Sequence, residues 1–76
     1  NVVGFAGRLL RTLIESENGF LPYHDKTSPD EIYAAFGVSK KTFNKAVGDL
    51  YKHFYITIES NGIALTDKGW IEGTED

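Results

Sequence analysis

SPDEIYAAFGVSKKTFNKAVGDLYKH, residues 28–53, holds two helix starts with one tight stop between them. Ser28 suits an N-cap, Pro29 the first helical position and Glu31 the third, which together make a capping box. Ile32, Tyr33, Ala35 and Phe36 supply the buried side of a helix that Gly37 ends after barely two turns. Val38 is the lone apolar residue of the connection. Ser39 caps a longer helix from Lys40 to about His53, along which Phe43, Ala46, Val47, Leu50, Tyr51 and Phe54 make an uninterrupted apolar stripe. Two helices joined by so short a glycine-containing turn form a helix-turn-helix unit.

The flanks complete the pattern. Upstream, GFAGRLLRTLIESE places Ala6, Leu9, Leu10, Leu13 and Ile14 at helical spacing, and Asn18-Gly19 closes that helix, since both residues tolerate the left-handed conformation. GFLPY follows, short and apolar, and Pro22 confines it to an edge strand. Downstream, Ile56 and Ile58, then Ile63 and Leu65, alternate with smaller or polar residues around Ser60-Asn61-Gly62. Asn-Gly is a strong hairpin signal because both residues accept positive φ. LTDKGW closes the domain, with Trp70 folding back onto the core. The order predicts an α+β fold, a small winged helix-turn-helix domain of three helices, a short β-hairpin wing and an edge strand. Residues 1–70 form the domain, and residues 71–76 an acidic C-terminal tail.

Seventy-six residues allow one small core, and ten aromatic residues compensate for the absence of cysteine, which excludes disulfides and thiolate metal sites. No apolar run is long enough to span a bilayer. The opening NVVGFAGRLLRTL carries arginines within its apolar pattern rather than ahead of it, unlike a signal peptide. The chain opens on Asn1 and reads as one domain of a longer, cytoplasmic protein.

The net charge of −3 argues against a generic cationic binder, but the charge is unevenly spread. Between Gly37 and Ile56, Lys40, Lys41, Lys45 and Lys52 face only Asp49, a local +3 that leaves −6 elsewhere. At about 100° per residue, Lys41, Lys45, Gly48 and Lys52 share one stripe of the third helix, nearly opposite the apolar one, with Asn44 and Asp49 flanking it. Lysine suits phosphate as a point charge. Gly48 leaves room for a close backbone, and Asn44 carries the donor–acceptor pair that reads a base edge. Ser39, Lys40 and Thr42 crowd the helix N-terminus, where free N–H groups favour phosphate. The nucleic-acid-binding set is therefore Lys40, Lys41, Asn44, Lys45, Gly48 and Lys52. A solvated lysine face also serves solubility, but three aligned lysines on the third helix of this fold favour binding.

Against operator DNA stand a short, neutral wing tip beside Glu59 and the lack of arginine on the third helix. His24-Asp25 falls short of a metal site, which needs three or four converging ligands, so a polar loop with local hydrogen bonds from Asp25 or Thr27 is expected. No catalysis, metal, cofactor or small-molecule substrate is expected. Most aromatics belong to the core, with Tyr23 and Tyr55 expected to be partly exposed.

GFLPYHDKTSPDEIYAAFGVSKKTFNKAVGDLYKHFYITIESNGIALT, from Gly19 to Thr66, resembles the C-terminal domain of the conserved virulence factor B family of bacterial proteins. The most specific pieces are GFLP, DKTSPDEI and FGVSKKTFNKAVGDLYK, followed by ITI and GI. The resemblance implies a winged helix behind several S1-like OB-fold domains, in a cytoplasmic, non-enzymatic RNA-binding regulator of virulence genes. Lys40, Lys41, Lys45 and Lys52 lie inside the matched segment. The S1-like domains are then the principal RNA readers, with this domain as an auxiliary RNA-binding module. Docking onto those domains or onto another protein, without nucleic-acid contact, is the alternative; a DNA-binding transcription regulator is the third reading.

Overall fold

The computed structural model describes residues 4–73. Helix α1 (Phe5–Glu15) buries Ala6, Leu9, Leu10 and Leu13, the stripe expected from their spacing, with Ile14 packed at its margin. A 3₁₀ turn over Glu17–Gly19 follows, with Asn18 and Gly19 at φ 59° and 63°. Strand β1 (Phe20–Leu21) lies at one edge of a three-stranded antiparallel sheet.

Helix α2 (Pro29–Phe36) starts as its sequence predicts, with the Glu31 N–H donating to Ser28 Oγ at 3.2 Å. Its buried face is narrower than expected. Ile32 is fully buried and Phe36 half-buried, whereas Tyr33 and Ala35 face solvent. A two-turn helix presents i and i+4 to its neighbour, and positions 33 and 35 fall to either side. Phe36 joins Phe5, Tyr23 and Phe43 in an aromatic cluster, with ring centroids 5.1–5.7 Å from its own.

Helix α3 (Lys40–Lys52) crosses α1 and buries Phe43, Ala46 and Leu50. Strands β2 (Ile56–Glu59) and β3 (Gly62–Leu65) form the wing, and β3 occupies the centre of the sheet, in the order β1-β3-β2. Ile56 and Ile63 are buried, but Ile58, expected to point inward, is half-exposed because β2 is the outer strand.

The hairpin corrects one reading. Glu59 pairs with Gly62, so the turn is Ser60-Asn61, and neither Asn61 nor Gly62 takes positive φ. Gly62 is required for another reason: a Cβ there would run into the Leu21 carbonyl oxygen and the Phe20 ring. Glycine at this point lets β1 close onto β3.

A fourth helix, α4 (Asp67–Gly73), is not among the three expected. Thr66 caps it, its Oγ1 accepting the Gly69 N–H at 3.0 Å, and Asp67 complements the helix dipole in the first turn. Residues 71–73, read as tail, belong to this helix; residues 74–76 lie outside the described residues. Gly69 is buried against the Tyr55 carbonyl, and Gly73 packs beside Ile14 and Leu10 of α1. Trp70 does fold back, its ring lying over Gly19, though about a third of it stays exposed.

Candidate nucleic-acid interface

Helix α3 displays its lysines as the sequence predicts, but the six expected residues do not form one surface. Lys41, Asn44, Lys45 and Lys52 are exposed, whereas Lys40 and Gly48 are half-covered. Lys41 to Lys52 spans about 16 Å of helix at 1.5 Å per residue. Asn44 and Gly48 turn toward the wing and line a cleft of about 250 Å³ with His24, Asp25, Val47 and Ile58. Lys45 borders a different groove of about 350 Å³, against the start of α1, with Thr42 and Asp49. The lysine stripe is thus a ridge between two grooves.

Gly48 has open space on its Cβ side, so crowding by the described residues does not require a glycine there. The N-terminus of α3 offers less to phosphate than its sequence suggests. Ser39 Oγ accepts the Thr42 N–H at 3.2 Å, which removes one of the free donors.

His24 and Asp25 belong to a turn. Thr27 Oγ1 accepts the His24 N–H at 2.9 Å, and His24 Nδ1 accepts the Lys26 N–H at 3.1 Å. Thr27 is buried there. No group of three or more potential metal ligands occurs among the described residues, and no helix among them is long and apolar enough to cross a membrane.

A model of the CvfB-like winged helix domain matches residues 7–65. The chain belongs to this family. It is 48% identical over 64 residues to conserved virulence factor B of Staphylococcus saprophyticus, covering 84% of this chain and 21% of that protein. The same protein of Staphylococcus aureus strain MRSA252 is 45% identical over an equal span. The chain therefore spans about a fifth of the length of these curated relatives. A crystal structure of a multidomain protein with nucleic acid binding domains, from Streptococcus pneumoniae TIGR4, superposes with a TM-score of 0.74 at 38% identity. It covers 87% of this chain and 23% of that one.

In this CvfB-like winged helix, the end of α3 differs most from its sequence reading. Phe54, placed on the buried stripe, is 71% exposed, and Tyr51 is 53% exposed. Tyr55, expected at the surface, is buried. The cause is the helix stop. His53 ends α3, and Phe54 takes φ 63°. The Phe54 N–H donates to the Tyr51 carbonyl and the Tyr55 N–H to the Leu50 carbonyl, each at 3.0 Å. These are the two bonds of a Schellman motif. Reversing the chain there throws Phe54 outward and turns Tyr55 inward. The Tyr55 hydroxyl donates to Glu72 Oε1 at 2.7 Å. That bond to a carboxylate, then burial, then the carboxylate's charge, raise the phenol above its ordinary pKa.

Proposed function

We propose that this domain is an auxiliary RNA-binding module of a longer bacterial regulatory protein that affects virulence gene expression. It holds RNA chiefly by its phosphates. The observation that carries this reading is the exposure of Lys41, Lys45 and Lys52 along the outer face of α3 in a domain whose net charge is −3. Phosphate is the partner that three exposed cations on one line fit. Asn44, beside the ridge, can touch a base edge, while α3 offers no arginine for guanine. Binding is therefore tolerant of sequence. The S1-like domains expected elsewhere in the longer protein remain the principal readers. The module acts by binding, without catalysis, cofactor or small-molecule substrate, in the cytoplasm.

Three phosphate contacts on a single strand give a slope of log K against log salt of about −2. Raising salt from about 50 to about 200 mM should then weaken binding roughly 20-fold. An NMR titration of the labelled domain with a short unpaired RNA and with duplex DNA tests this. Amides around Lys41, Asn44, Lys45 and Lys52 should move with RNA, and Lys41→Glu with Lys45→Glu should abolish the shifts without unfolding the domain. If no amide moves even at low salt, the RNA reading is wrong and the domain is a docking piece. Stronger shifts with the DNA would make it a DNA binder.

A further inference from the structure

Phe54 occupies a backbone position where a phenylalanine is out of place. Its φ of 63° lies in the left-handed region, and the Schellman position it fills is usually glycine, because a Cβ is strained there. A bulky residue can repay such strain by burial, yet Phe54 is 71% exposed. The fold holds the strained peptide in place from outside the helix. Thr66 Oγ1 donates to the Phe54 carbonyl at 2.6 Å, and the Thr66 N–H donates to the Tyr55 carbonyl at 2.9 Å. Backbone strain kept by a well-made surrounding structure, at a residue that adds little packing, points to a role outside folding.

The surroundings of the ring identify that role. Lys68 Nζ lies 5.6 Å from its centroid. Lys52, at the end of the α3 ridge, is two residues away, and the half-exposed Tyr51 is three residues away. An exposed aromatic ring beside a cation, at the end of a basic helix face, is a combination that holds single-stranded nucleic acid, with bases stacking on the ring and phosphates meeting the charges. Inside a duplex both faces of each base are covered by its stacked neighbours, so the ring selects for unpaired segments.

We propose that Phe54 is a stacking platform for one unpaired base of an RNA strand whose phosphates follow the lysine ridge of α3 and pass on to Lys68. The platform rests on the RNA-binding function proposed above and adds a residue and a preference to it. It extends the interface beyond α3 to the start of α4, and it makes the domain favour unpaired over duplex RNA.

Fluorescence anisotropy with an unstructured eight-nucleotide RNA and a long RNA duplex, in which end faces are few beside the stacked interior, at about 50 mM salt, tests the proposal alongside thermal melts. Phe54→Gly should weaken binding of the unpaired RNA at least about fivefold, the lower end for loss of one stacked base. Duplex binding should stay the same, and Tm should stay level or rise. Phe54→Trp should bind the unpaired RNA at least as well as the original residue. The platform is overturned if Phe54→Gly binds unpaired RNA normally, or if it loses both ligands equally. A lower Tm in Phe54→Gly would also overturn it, since the ring would then be serving the fold. If the unchanged domain binds neither RNA, the RNA-binding function itself fails and the platform with it, whereas normal unpaired-RNA binding by Phe54→Gly alongside loss in the lysine variants overturns the platform alone.

Discussion

Helices α2 and α3 end on nearly the same backbone conformation with opposite side chains. At the end of α2, Gly37 has φ 72° and its N–H donates to the Tyr33 carbonyl at 2.8 Å. At the end of α3, Phe54 has φ 63°, but the stop is the Schellman pair of bonds, to the Tyr51 and Leu50 carbonyls, rather than a single bond four residues back. The first stop is local: a Cβ on Gly37 would meet nothing within 4 Å, so conformation alone selects glycine. The second stop is tertiary. It relies on two hydrogen bonds from Thr66, the residue that also caps α4. A helix end held by its own residues can be recognised from them, whereas one held by a distant threonine cannot.

Substituting the glycines separates conformational strain from crowding. Gly19, at φ 63°, also lies under the Trp70 ring, where a Cβ would press on Trp70 and Leu65. Gly19→Ala combines both penalties and should cost about 2–4 kcal/mol. Gly37→Ala carries conformational strain alone and should cost about 1–2 kcal/mol. Urea melts of the two variants check the order. Equal losses would mean that Trp70 moves aside freely and that α4 is only loosely seated on the 3₁₀ turn. Phe54→Gly, which relieves the same strain, is the opposite change and should show little or no loss.

The comparison also explains how much was readable in advance. The helix-turn-helix and the edge strand are legible because Ser28-Pro29, Gly37, Ser39 and Pro22 act through their own backbones, and the wing is legible from the alternation of Ile56, Ile58, Ile63 and Leu65 although its turn is not the one Asn61-Gly62 suggests. The lysine ridge followed from helical spacing alone. Helix α4 is not legible, although Thr66-Asp67 carries a cap signal, because Gly69 and a seven-residue length weaken the helical pattern. Gly69 is there because the Tyr55 carbonyl comes too close for a Cβ, a contact 14 positions away in sequence. At the candidate site, extending the apolar stripe of α3 by one step put Phe54 inside. In His53-Phe54-Tyr55, no glycine marks where the helix stops, so the direction of each ring depended on a fold not yet assembled.

Turning Tyr55 inward has a consequence that pH should reveal, the smallest of these effects. Its hydroxyl donates to Glu72, and the neutral phenol is favoured in the folded state, with its pKa raised. A group whose folded pKa lies above its unfolded value, here about 10, contributes stability in full below that value. The contribution is lost as pH rises through the higher folded pKa, when a phenolate would face the Glu72 carboxylate. Denaturant midpoints measured from about pH 8 to pH 11 should therefore fall more steeply for the unchanged domain than for Tyr55→Phe. The difference between the two curves isolates this pair. Parallel curves would show that Glu72 does not hold the phenol in solution. Gly73 against Ile14 and Leu10 would then still seat the last turn of α4, and Tyr55 would point inward because the stop at Phe54 turns it there.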